Sequence, residues 1–145
     1  MKRFLLVLCI AALSLSVFAQ TEPPNKSVTL TFIETSDIHG AIYPYDFVNA
    51  KATSTSLAQV ASLVTATREA NPNTVLLENG DSLQGTPVVY YYNFEKTDGP
   101  HIWSQAVNYL GFDAVGVGNH DIEAGHNVYD KVFEEIQAPI VCANA

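Results

Sequence analysis

The chain has 145 residues, with 15 Asp and Glu against 7 Lys and Arg, for a formal net charge of −8. So acidic a chain lacks the positive footprint that the backbone of a nucleic-acid polymer demands, which sets that class of partner aside. The length suits one small domain.

Residues 1–19 read as a signal peptide. Lys2 and Arg3 supply its positive start, and residues 4–15 form an apolar stretch too short to span a bilayer, so no stable membrane anchor is expected. Val17 and Ala19 occupy the −3 and −1 positions, which puts cleavage after Ala19 and predicts a secreted or periplasmic protein. Removing the segment leaves 126 residues and, with two cations gone, a net charge of −10. Cys9 leaves with it. Cys142 then has no partner for an intrachain disulfide, and no cysteine-based zinc site is expected.

Residues 20–27, with two prolines, form a linker, and residues 28–145 follow as the structured part. Residues 28–35, rich in Val, Thr, Ile and Phe, predict a first strand. Residues 36–53 are a long loop that opens with Asp37-Ile38-His39-Gly40 and carries Tyr43, Pro44 and Tyr45. Leu57, Val60, Ala61 and Val64 recur at helical spacing, with Ser54 or Ser56 as N-cap and Asn71-Pro72 as the stop. Residues 74–78 predict a buried strand that runs straight into Asn79-Gly80-Asp81. A short helix from Pro87 is expected next, with Tyr90, Tyr91 and Tyr92 as partly buried packing rather than a stacking platform for bases.

Ile102, Ala106 and Leu110 give a second helix face, opened by Gly99-Pro100 and closed by Gly111. Residues 113–117 predict a third strand, ending in Gly118-Asn119-His120-Asp121. Tyr129, Val132, Phe133 and Ile136 make a third helix face, and residues 139–143 a fourth strand in which Cys142 is expected as a small buried core residue. His101 and His126 fall at or near helix starts, as surface or capping residues rather than ligands. The order β-α-β-α-β-α-β, with right-handed crossovers, makes an α/β fold with a mostly parallel sheet and flanking helices. The sequence stops directly after the fourth strand, without a closing helix, so the expectation is an N-terminal piece of a longer protein, incomplete at its C-terminus.

Three polar motifs each follow an apolar run, so in a parallel sheet all three lie on one edge, where open α/β sheets place their ligand sites. Their acidic positions lie 44 residues apart, and Asn119 follows 38 residues later, one β-α-β unit each. Asp37 and His39 alternate along what reads as extended chain, so both can turn toward one ion while Ile38 faces the core. Carboxylate, imidazole and amide together suit divalent Zn, Mn or Fe alike. Asp81, on the middle motif, is the natural bridge between two ions. Two such ions about 3.5–4 Å apart clamp a phosphoryl group and lower the pKa of bound water from 15.7 to about 7, giving a hydroxide nucleophile without Ser or Cys.

At these residues the chain resembles the calcineurin-like metallophosphoesterase superfamily. The stretch Glu78-Asn79-Gly80-Asp81-Ser82-Leu83-Gln84-Gly85-Thr86-Pro87 is similar to the branch containing secreted 5′-nucleotidases and 2′,3′-cyclic-nucleotide 2′-phosphodiesterases. The resemblance implies that these four strands are part of a metallophosphoesterase sandwich. It implies a first metal on Asp37 and His39, a bridging Asp81, and a second metal on Asn119. His120 would stabilise the transition state or protonate the leaving oxygen, held by Glu123 three residues on, with Asp121 as a competing neighbour. The later histidine ligands and the nucleotide-binding domain would come from a C-terminal part absent here. The implied activity is hydrolysis of nucleotide phosphoesters. Two alternatives stay open: a truncated, non-catalytic binding module that retains the fold, and a metallophosphatase for other phosphate esters.

Overall fold

The computed structural model describes residues 26–143, so the expected signal peptide and all but the end of the linker lie outside it. The first strand, β1, is Thr31–Thr35. A small antiparallel hairpin follows in the long loop, β2 at Tyr45–Asp46 against β3 at Lys51–Ala52. Then come helix α1 (Leu57–Ala70), strand β4 (Thr74–Glu78), and helices α2 (Pro87–Phe94) and α3 (Ile102–Leu110). Strand β5 (Ala114–Gly116), the short helix α4 (Asn119–Glu123), helix α5 (His126–Glu135) and strand β6 (Ile140–Val141) complete the order.

Among the described residues the main sheet has the order β1-β4-β5-β6, parallel throughout. Each new strand is added on the same side of the last, so right-handed crossovers send α1, α3 and α5 to one face. There Leu57 and Val64 of α1, Trp103, Val107 and Leu110 of α3, and Val128 and Val132 of α5 form one core with Leu76 and Val115. Alternation along the strands turns Phe32 and Val141 to the opposite face, where they are 63% and 57% exposed.

The helix ends follow the sequence closely. Ser56, not Ser54, caps α1, its hydroxyl accepting from the Gln59 amide at 3.3 Å. Near its other end Arg68 donates to the Leu110 and Gly111 carbonyls at 2.6 and 2.7 Å, which satisfies the C-terminal carbonyls of α3. Pro87 occupies the first turn of α2.

Several expectations are corrected. The first strand starts at Thr31 rather than Val28, because its partner β4 begins only at Thr74, and Pro72 before it has no N–H to pair. Cys142 is exposed, not buried: β6 ends at Val141, opposite Gly116 of β5, and Cys142 lies one residue past it. Tyr90 and Tyr91 are exposed as well. Helix α2 turns Val89 and Asn93 inward, one turn apart, and Tyr90 and Tyr91 fall on its outer side, while Tyr92 is partly buried as expected, its ring 5.9 Å from that of His101.

His101 caps α3 as expected, but it is fully buried rather than on the surface. Its Nδ1 accepts from the Trp103 amide at 3.1 Å, so the proton sits on Nε2, which donates to Asn93 Oδ1 at 2.9 Å. Asn93 in turn donates to the Leu83 carbonyl at 2.7 Å, tying the helical layer to the loop after β4. His126 is exposed at the start of α5, where it meets Tyr129 and Asp130.

Burial lowers the His101 pKa from 6.5 to about 4. The unfolded chain therefore takes up a proton that the folded one refuses as pH falls from about 6.5 to 4, and stability drops across that window by up to about 1.4 kcal/mol per pH unit. His101→Asn, which keeps a capping oxygen, should be less stable at neutral pH yet lose stability less steeply on acidification. Denaturation midpoints at pH 7, 5.5 and 4.5 check this; parallel curves for the two proteins would refute it.

Candidate metal centre

The site is built where β1, β4 and β5 run out. Beyond the strands the first two motifs continue side by side. The Asp37 amide donates to the Gly80 carbonyl at 3.0 Å, and the His39 amide to the Asp81 carbonyl at 2.9 Å. The chain here is not extended, as the alternation predicted. Asp37, His39 and Asp81 have φ of 54°, 48° and 62°, all in the left-handed region. Asp and His are among the few residue types that enter it with any frequency, at a cost of about 1–3 kcal/mol each. Ile38, between the two, packs against the core as expected.

These torsions bring one donor atom from each of Asp37, His39 and Asp81 within 4.8 Å of the others. His39 Nε2 lies 3.8 Å from Asp37 Oδ1. His39 Nδ1 is 3.2 Å from the Gln84 carbonyl, which can only accept, so Nδ1 carries the proton and Nε2 keeps its lone pair. Two carboxylates and one imidazole so arranged fit a hard-to-borderline divalent cation. Asp37 and His39 are partly open to solvent, so a cation and a ligand can reach them.

The third motif is held against the second by contact too close for a side chain. A Cβ on Gly118 would lie 2.6 Å from the Asp81 amide nitrogen, so only glycine fits. The motif then folds as helix α4 rather than as loop. Its His120 amide donates to Asp81 Oδ1 at 2.8 Å. Asn119, at the first position of that helix, is exposed beside it.

His120 meets the partner expected of it: Nδ1 lies 2.8 Å from Glu123 Oε2. That hydrogen bond raises the His120 pKa and lowers that of Glu123. The His39 and His120 rings stand 5.3 Å apart, edge to face. The structure thus gathers Asp37, His39 and Asp81 into one group, sets the His120–Glu123 pair beside it, and places Asn119 next to His120 at the start of α4.

Asp121 does not compete for His120. Its carboxylate, 3% exposed, is filled by four backbone amides. Oδ1 accepts from Ser82 at 2.7 Å and Leu83 at 3.0 Å, and Oδ2 from Asp81 and Gly118, both at 2.8 Å. This tie escapes a reading of motifs one at a time. Its one sequence signal is an acid at the third position of a helix whose cap is Gly118. Glu78 is a second buried support, accepting from the Gly80 amide at 3.2 Å, Ser82 Oγ at 3.1 Å and the Thr35 hydroxyl. Burial pushes its pKa up to about 7.

No family model matches the chain. Among curated proteins, it is 35% identical over 130 residues to the trifunctional nucleotide phosphoesterase protein YfkN of Bacillus subtilis, covering 85% of this chain and 9% of that protein. It is 32% identical over 134 residues to the 2′,3′-cyclic-nucleotide 2′-phosphodiesterase/3′-nucleotidase of Yersinia enterocolitica, covering 90% of this chain and 21% of that one. The crystal structure of the calcineurin-like phosphoesterase YfkN from Bacillus subtilis matches with a TM-score of 0.72 at 35% identity, over 77% of this chain and 36% of that one. The chain thus spans only a fraction of the length of the proteins it matches.

Asp121→Asn puts an NH₂ group against two of the four amides whichever way it is turned, at about 1–3 kcal/mol for each donor left unpaired. The variant should lose at least about 2 kcal/mol of stability on that footing. Chemical denaturation measures it; a midpoint matching the parent would remove Asp121 from this role.

Proposed function

From its kinship with the N-terminal part of calcineurin-like phosphoesterases and nucleotidases, we propose that this chain is the metal-holding portion of an exported enzyme that hydrolyses nucleotide phosphoesters. The observation that carries the reading is the Asp37, His39 and Asp81 donor group beside the His120–Glu123 pair. Residues 1–19 serve as a signal peptide cleaved after Ala19, residues 20–27 as a linker, and residues 28–145 as part of the catalytic domain. The full-length protein provides the remaining histidine ligands and the substrate domain.

Asp37, His39 and Asp81 would hold a divalent cation, and Asn119 would be a donor toward a second. Zn, Mn or Fe suits these donors, and such ions supply Lewis acidity and an activated water. This chain's residues do the rest. His120 has Nδ1 committed to Glu123, so Nε2 is the end that faces substrate. As the phosphorus–ester bond breaks, Nε2–H of the imidazolium protonates the departing oxygen, and the proton lost by the attacking water restores the imidazolium. Glu123 keeps the imidazolium populated, consistent with the raised pKa of His120. Export is supported by the N-terminal sequence. No helix among the described residues is long and apolar enough to cross a membrane.

The test is hydrolysis by the full-length protein of AMP and of 2′,3′-cyclic AMP, before and after chelation and readdition of Zn or Mn. Asp81→Asn should lower kcat/KM on the better substrate by more than about 100-fold, beyond the usual cost of losing an outer partner of a metal site. Turnover that survives both chelation and Asp81→Asn would reject the mechanism.

A further inference from the structure

One residue outside both the ligand group and the His120–Glu123 pair touches each of them. The main-chain oxygen of Gln84 accepts from His39 Nδ1 at 3.2 Å. Its side-chain Nε2 donates to Glu123 Oε2 at 3.2 Å, the same oxygen that receives His120 Nδ1 at 2.8 Å. The segment around it is pinned on both sides. Leu83 donates its amide to Asp121 at 3.0 Å and takes the Asn93 amide on its carbonyl at 2.7 Å. Two residues on, Thr86 Oγ1 donates to the Gly40 carbonyl at 2.8 Å. Gln84 itself is exposed and contributes nothing to the core, so a packing role does not account for it.

We propose that Gln84 is a positioning residue for proton delivery, acting through Glu123 on His120. A carboxylate oxygen that accepts from two directions is fixed in plane, whereas one accepting a single bond can swing about the terminal torsion of Glu123. Fixing it holds the His120 ring with Nδ1–H on Glu123 and, in the imidazolium, Nε2–H toward the leaving oxygen. The main-chain carbonyl of the same residue holds His39 in the Nδ1–H form, with Nε2 toward Asp37 and Asp81. Both imidazoles are therefore oriented from one position, 5.3 Å apart. Only the His120 arm depends on the Gln84 side chain, and substitution isolates it.

The inference rests on the phosphoesterase reading, and its test separates the two. In the full-length protein, Gln84→Leu removes the donor and keeps the main-chain carbonyl, while Gln84→Glu sets a like charge against Glu123. With a nucleoside monophosphate, whose alkoxide must be protonated to leave, Gln84→Leu should lower kcat about 10-fold, part of the 10²–10⁴ a general acid supplies. KM should change less than about twofold, and Gln84→Glu should fall further. With p-nitrophenyl phosphate, whose leaving group departs as the anion, kcat should change less than about threefold. Equal losses on both esters, as a general structural lesion gives, or no loss on either, would overturn the proposal. A second readout needs neither metal nor turnover: at a pH high enough for His120 to be neutral, its imidazole ¹⁵N shifts should report the Nδ1–H tautomer in the parent and a mixture in Gln84→Leu. If the parent hydrolyses neither ester, the phosphoesterase reading fails, while the ¹⁵N shifts still decide Gln84; an unchanged tautomer would dismiss it.

Discussion

The carboxylate of Asp121 holds this arrangement together. Four backbone N–H groups from two separate motifs converge on its two oxygens, at 2.7 to 3.0 Å, in a nearly closed environment. Charge-assisted bonds of this kind are about twice as strong as neutral ones, and here they fasten the turn after β4 to the start of α4. Because Gly118 and Asp81 are pressed together in the process, the His120 amide reaches Asp81 and the His120 ring arrives beside His39. Without the tie, among the described residues only the His120–Asp81 and Gln84–Glu123 bonds would join the turn after β4 to α4.

Below this tie lies a second layer of support. Glu78 takes the Gly80 amide and the Ser82 and Thr35 hydroxyls, and its burial keeps the acid near neutrality. Asn93 and His101 reach up to Leu83 from the helical layer. The turn that carries Asp81 and Gln84 is thus held from beneath, from the neighbouring motif and from the helices. That bracing is what offsets the left-handed torsions at Asp37, His39 and Asp81. Buried polar groups fully paired in this way rigidify a site instead of weakening it.

Much of this was readable from the residues, for identifiable reasons. Apolar spacing marked α1, α3 and α5, and Asn71-Pro72 and Gly111 marked two ends, because turn chemistry and periodicity are local. The gathering of Asp37, His39 and Asp81 followed from three motifs after three apolar runs, which the β-α-β topology sends to one edge. What escaped was non-local. Nothing in Asp37 or His39 announces φ > 0, since aspartate and histidine occupy both regions. The burial of His101 depends on Asn93 and Glu135, which lie 8 and 34 residues away. A run of three tyrosines has no period, so the outward turn of Tyr90 and Tyr91 had no signal. Cys142 reads as core until the end of β6 at Val141 is known.

The left-handed torsions at the three donor positions have an evolutionary corollary. Where the main chain itself aims a ligand, the choice of residue is limited twice, once by coordination chemistry and once by the Ramachandran map. Asparagine, aspartate and histidine satisfy both conditions. Glutamate and cysteine ligate metals equally well but gain nothing from this backbone. The site therefore offers a short alphabet for drift, and changes of metal preference would have to come through swaps within it or from ligands contributed elsewhere.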